Sequence, residues 1–262
     1  MTRGDSADAS DLWQYTDSVL YGFNVQTQLL GYVLPFCLKA WREDILGTHN
    51  GYGGFVEYFY PMLANKGVLD LHLDSSQSAA VADFMRATIL EEIDAQHGLT
   101  YRNKGAPYRW ITALTTYGVL LPDLELLWNS WWSVETVGRA TAVVQYVSCL
   151  LYAENENSVF SPWTPDDGGG PPCLWEFGGH LYSHRWLTAN VAFLKTALTP
   201  QAVIDILNKA VGKLADDESY QTAQKVQEDI PLFIETLRSR CDELPKILGT
   251  RDEISKAVDW KR

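Results

Sequence analysis

The chain has little of what chemistry most often uses. It holds four cysteines, five histidines and three methionines in 262 residues. Cys37, Cys149, Cys173 and Cys241 lie far apart and form no CxxC pair. In a chain of this size they read as reduced thiols rather than as a disulfide framework. There is no GxSxG run, and no serine or cysteine sits in a recognisable nucleophile context. The glycine-rich run His49 to Phe55 lacks the Lys-Ser/Thr of a phosphate loop and follows no strand, so it reads as a turn. Long hydrophobic runs are missing too. The most apolar stretch, Val137 to Ala153, is short for a membrane span and contains Arg139, Gln145 and Ser148. Met1 to Asp11 is polar, with no apolar segment of the kind found in a signal peptide. These absences predict a cytoplasmic protein with no membrane partner.

Positive charge is also scarce. Thirty-three acidic residues stand against 21 basic ones, for a formal net charge of −12. That field repels a phosphate backbone, so nucleic acid is not an expected partner, whereas a basic protein suits the sign. Tryptophan is abundant instead, with ten copies. Each indole combines a large apolar area with one N–H donor, so it is either buried or part of a surface that binds something.

Helical periodicity dominates. Residues 12–23 and 25–43 carry apolar side chains at helical spacing, and Pro35 is expected to kink or break the second run. Asp74 and Gln77 stand in capping-box positions ahead of a stripe formed by Val81, Phe84, Met85, Ile89 and Ile93, with Glu91, Glu92 and Asp94 mostly off that face. Gly98 suits a left-handed end to that helix. Another helix is expected over 106–117. Pro122 is expected in the first turn of the next, whose stripe is Leu124, Leu127, Trp128 and Trp131. Ser133 is expected to cap a long, centrally buried helix running to about Ala153. Thr199-Pro200 opens a further helix with the stripe Val203, Leu207, Val211 and Leu214. Pro231 and Pro245 are expected to divide the remainder into short helices, the last opened by a Thr250/Glu253 capping box. Short strands are conceivable only at Val68–Leu73 and Trp175–Tyr182.

The expected fold class is therefore all-α: a compact multi-helix domain of about 9–11 helices with one long irregular loop at 155–179. A helical-repeat-like arrangement stays open. Residues 1–10 read as a flexible N-terminus and 11–262 as a single helical domain, within which 215–262 could form a C-terminal subdomain.

The helical rules stop explaining the residues between 155 and 186. Four prolines and the run Gly168–Gly170 interrupt the pattern, and Asp166, Asp167, Glu176, His180 and His184 stand among Trp163, Trp175, Tyr182 and Trp186. If a helix begins near His180, His180 and His184 share a face one turn apart. That spacing suits two imidazole ligands on a divalent metal, with Asp167 or Glu176 as a third. The bland alternative is two polar residues at a helix start. Asp94-Ala-Gln-His97 carries a carboxylate–imidazole i, i+3 pair, but it is better explained by a histidine at a helix C-terminus. Arg102, Lys104 and Arg109 form a local basic cluster that could hold an anion or offset the acidic end of the preceding helix. Trp132 falls off the core stripe of its helix and is a candidate exposed anchor for a partner.

The run His180-Leu-Tyr-Ser-His184-Arg185 resembles the HxxxHR piece of the DinB-like metal-binding four-helix bundles. The resemblance covers six residues. The earlier histidine that completes the site in that family has no counterpart here, and this chain is much longer.

Three functions follow as expectations. The first is an acidic helical binding protein that engages a protein partner, inhibitor- or adaptor-like, with Trp132, Trp163, Asp166, Asp167, Trp175, Glu176 and Tyr182 as binding residues and no cofactor. The second is a metal-dependent enzyme acting on a small molecule near His180 and His184. The third is a structural subunit of a larger assembly. Whether the chain is an enzyme is left open by the sequence.

Overall fold

Local capping chemistry sets where most of the helices begin. The computed structural model describes residues 12, 14–16, 25–47, 59, 60, 62, 63, 68–99, 106–152 and 186–255. The fold is all-α, and among the described residues there is no strand. Residues 1–88 and 89–262 form two compact units.

In the first unit, α1 (Thr27–Ile45) buries Leu30, Leu34, Cys37, Trp41 and Ile45 along one face. Of the kink or break expected at Pro35, the break does not occur: the helix runs on through it. Proline removes the donor that would serve the carbonyl of Gly31, and both residues are exposed, so solvent can satisfy that oxygen. Trp41 anchors the core. Its Nε1–H donates to Tyr60 Oη at 2.6 Å, and its ring lies 6.4 Å from that of Phe84. Val68–Leu71 is a single helical turn, α2, rather than a strand.

The next helix, α3 (Ser75–Asp94), opens as its sequence dictates. The backbone N–H of Asp74 donates to Gln77 Oε1 at 2.9 Å, and that of Gln77 donates to Asp74 Oδ1 at 2.8 Å. Two otherwise orphaned donors are thereby satisfied reciprocally. Gly98 follows the helix with φ of 72°, a conformation that a Cβ would penalise.

The second unit contains α4 (Ala106–Leu120), α5 (Leu124–Trp132), α6 (Val137–Leu151), α7 (Thr188–Ala197), α8 (Pro200–Lys213) and α9 (Tyr220–Ser255). At its centre α6 is buried on every side from Ala140 to Leu151. It packs against α5, α8 and α9, while α9 also packs on α7 and α8. Each large apolar side chain buried this way contributes roughly 1.5–3 kcal/mol. Thr136, not Ser133, caps α6: its Oγ1 accepts from the N–H of Arg139 at 3.1 Å. Ser133 instead ends α5, its hydroxyl donating to the carbonyl of Ser130. Between them Val134 takes φ of 57°, which turns the chain sharply before α6. Pro122 also falls outside its expected place. It precedes the N-cap, Asp123, whose carboxylate accepts from Tyr117 Oη at 2.7 Å.

Thr199 and Pro200 open α8 as expected, with Thr199 Oγ1 accepting from the N–H of Ala202. The two C-terminal prolines act differently. Phe233, two residues after Pro231, leaves helical geometry, so α9 is two helical runs that meet at a kink there, as expected; the second run continues through Pro245 and includes Thr250 and Glu253, contrary to expectation. Around Pro245 the helix is held by burial of Cys241, Leu244 and Leu248, which offsets the one missing hydrogen bond.

Candidate functional site

An aromatic cluster forms where α4, α5 and α6 meet. The helical stripe of α5 turns Trp128 and Trp131 inward, where they meet Trp110 of α4 and Tyr146 of α6. Ring centroids lie 5.3 Å apart for Trp110–Trp131, 5.1 Å for Trp128–Trp131 and 5.5 Å for Trp128–Tyr146. The last two pairs meet edge to face, the arrangement that ring quadrupoles favour. Trp110 Nε1–H donates to Gln145 Oε1 at 3.3 Å. The Nε1–H groups of Trp128 and Trp131 are buried and have no hydrogen-bond acceptor among the described residues.

Two rings form the rim of this cluster. Trp132 is part-buried, with centroids 4.7 Å from Trp131, 5.0 Å from Trp128 and 6.0 Å from Tyr146. Phe193 of α7 is also part-buried and meets the ring of Trp128 edge-on at 6.4 Å. Trp132 is thus neither wholly core nor wholly free: three neighbours fix its ring while part of its surface meets solvent.

The other sequence-predicted site residues, Trp163, Asp166, Asp167, Trp175, Glu176, His180, Tyr182 and His184, lie outside the described residues. The described flanks of that stretch are firmly held. On one side Arg240 Nη1 donates to the carbonyls of Cys149 and Tyr152, both at 2.7 Å, closing the C-terminus of α6. Tyr152 Oη donates to Asp229 Oδ2 at 2.8 Å. On the other side the N–H of Trp186 donates to the carbonyl of Leu248 at 2.8 Å, and the indole lies over Gly118. A Cβ at position 118 would sit 2.6–2.7 Å from the Trp186 ring, so glycine is required there. Both flanks are therefore fastened to α9. The helix that follows, α7, opens at Thr188 after non-helical Trp186 and Leu187. The helix start expected near His180, and the histidine pair with it, lie outside the described residues.

Asn190 of α7 is buried and its side-chain amide donates to the carbonyls of Gly118 at 2.8 Å and Leu121 at 2.6 Å, capping the end of α4. Asp94 is committed to structure as well. It receives Arg139 Nε at 2.8 Å, Arg139 Nη2 at 3.1 Å and Thr136 Oγ1 at 2.6 Å. A carboxylate so engaged by a guanidinium is not available as a metal ligand alongside His97. Among the described residues, no group of three or more His, Cys, Asp or Glu side chains is placed to hold a metal ion, and no helix is long and apolar enough to cross a membrane.

No family model, curated protein or solved structure matches the chain.

One chemically distinctive group was misplaced by the sequence pattern. Glu92 is only 5% exposed, on the buried side of α3. Burial pushes its carboxyl from 4.5 up to about 7, against the lowering effects of Arg109 and of the hydrogen bond from Gln96. The signal was present: Glu92 stands three residues after Ile89 and seven after Met85, so it continues the core stripe. The thiols are inert by comparison. Cys37, Cys149 and Cys241 are free and buried, and burial pushes each up to about 12.

Proposed function

We propose that the chain is a helical binding protein that engages a basic protein partner at the aromatic surface bordered by Trp132. The observation that carries this reading is the state of Trp132 itself. A ring part-exposed yet fixed by Trp128, Trp131 and Tyr146 loses little rotamer freedom on binding. Such rigid tryptophans at the edge of a packed cluster are the usual anchors of interfaces. The net charge of −12 supplies the sign of the partner, and long-range attraction of that kind raises association rates. The same charge disfavours nucleic acid. The buried free thiols accord with a reducing compartment such as the cytoplasm.

The test is a pull-down from native lysate with the full chain as bait at low salt, repeated with Trp132→Ala. The variant keeps the inner rings, so its circular dichroism should be unchanged. Capture of the partner should fall by roughly tenfold or more and should weaken with added salt in the wild type. Equal capture by the variant, or binding indifferent to salt, would sink the proposal.

A further inference from the structure

We propose that α1 carries a self-association face, through which two copies of the chain pair as antiparallel helices about a two-fold axis level with residue 34. The helix has two apolar stripes. One is buried: Leu30, Leu34, Cys37, Trp41 and Ile45. The other, Leu29, Tyr32, Val33 and Phe36, has the spacing i, i+3, i+4 and i+7 of a second helical face. Tyr32 is 59% exposed and Leu29 42%, while Val33 and Phe36 are part-buried. The rings of Tyr32 and Phe36 lie 5.6 Å apart, which joins them into one patch. Covering such a stripe removes apolar surface from water, the main drive for association.

Charge selects the occupant. In a chain of net charge −12, two copies repel unless the surface at which they meet is neutral. The outer face of α1 meets that condition, since no charged residue occurs from Thr27 to Leu38. A basic partner gains nothing there, and any charge close to a two-fold axis would face its own like. The ends of the helix are complementary instead. Gln26, at the N-cap, makes no side-chain cap, and the first turn holds no acidic residue to meet its partial positive charge. Glu43 follows Phe36 by seven residues and so shares its face. Its ion pair with the exposed Lys39 on the same helix is 3.8 Å long and contributes little. An axis level with residue 34 sets Tyr32 opposite Phe36 of the second copy, and Glu43 opposite the first turn of the second copy at Val25 and Gln26. The face therefore matches itself at its centre and at both ends, as a two-fold contact requires. One helix face against its copy is at the small end of specific interfaces, so pairing is expected at micromolar concentrations.

The experiment is sedimentation velocity of the full chain from about 1 to 200 µM. The weight-average mass should climb from that of one chain toward that of two. Tyr32→Glu changes an exposed side chain and should leave circular dichroism unaltered, but it sets two like charges beside the axis and should weaken pairing by roughly tenfold or more. Glu43→Gln removes a carboxylate from each helix N-terminus in the pair and should weaken it by roughly threefold or more. Trp132→Ala should pair as wild type does, which separates this face from the aromatic surface. A single-chain mass throughout, pairing that survives Tyr32→Glu, or pairing that Trp132→Ala abolishes would each overturn the second copy as the occupant. Pairing as tight in Glu43→Gln as in wild type would overturn the antiparallel arrangement.

Discussion

Gly138→Ala should destabilise the chain, although helix propensity taken alone says the opposite. Gly138 is the second residue of α6 and is buried against the last turn of α3. A Cβ built on it would lie 2.7 Å from the carbonyl oxygen of Ile93 and closer still to the backbone carbonyl of Asp94. Both obstacles are backbone, so neither can rotate aside. The helices would have to separate by about 1 Å, since apolar carbon contacts settle near 3.5 Å or beyond. That shift also stretches the bonds from Thr136 and Arg139 to Asp94, now 2.6–3.1 Å long. Overpacking of this kind costs about 1–3 kcal/mol, and the weakened ion pair, exposed on its Asp94 side, adds ~0.5 kcal/mol. Against this, alanine gains at most about 1 kcal/mol in propensity. The net expectation is a loss of about 2 kcal/mol. Gly212→Ala is the control. Gly212 lies inside α8, and its Cβ would meet nothing within 4 Å, so that variant should gain up to about 1 kcal/mol. Urea unfolding followed by far-ultraviolet circular dichroism reads both, as opposite shifts of the midpoint with an unchanged slope. A Gly138→Ala protein as stable as wild type would refute the close helix approach.

Three further outcomes are expected. Glu92, held near 7 rather than 4.5, stabilises the fold fully only below 4.5 and loses that contribution as the pH climbs through about 7. The loss is at most roughly 3 kcal/mol and about 2 kcal/mol after solvent screening, so Glu92→Gln should gain about that much over wild type between pH 4 and pH 8; parallel stability curves would contradict this. Asn190→Ala leaves the carbonyls of Gly118 and Leu121 without their buried donor and should cost about 2 kcal/mol by urea unfolding, and a change below ~0.5 kcal/mol would show that solvent replaces the amide. Cys37, Cys149 and Cys241, buried and raised to about 12, should resist iodoacetamide at pH 8 until denaturant is added, which mass spectrometry of peptides reads directly; rapid native labelling of any of the three would contradict the packing of its helix.

Features that depend on a few neighbouring residues were legible without the fold. The Asp74/Gln77 box, the Thr199 cap, the left-handed Gly98 and the inward stripe of α5 all formed as the local pattern dictates. Each is a contact over four residues or fewer, or a periodicity, and sequence carries both. The central burial of α6 followed for the same reason, from an apolar run with no polar face.

What tertiary structure alone decided involves partners far apart in the chain. Ser133 and Thr136 are both good caps, and the choice fell to Thr136, whose hydroxyl also donates to Asp94, 42 residues earlier. Pro245 interrupts the hydrogen-bond pattern, yet burial of its neighbours keeps α9 helical. Glycine at 138 is unremarkable in sequence, and only the crossing of α3 makes it indispensable. Trp132 lay off the stripe, as the helical period required, but its rigidity comes from Tyr146 as well as from its own helix. Glu92 was on the core face by count of residues, yet its charge argued for solvent. Only the packing of the fold showed that periodicity prevailed over charge, and that a carboxyl was buried with Gln96 as its donor. Local preference fixes caps and faces because its energies act within a turn; which cap is used, and which polar group is enclosed, depends on long-range packing that no local pattern encodes.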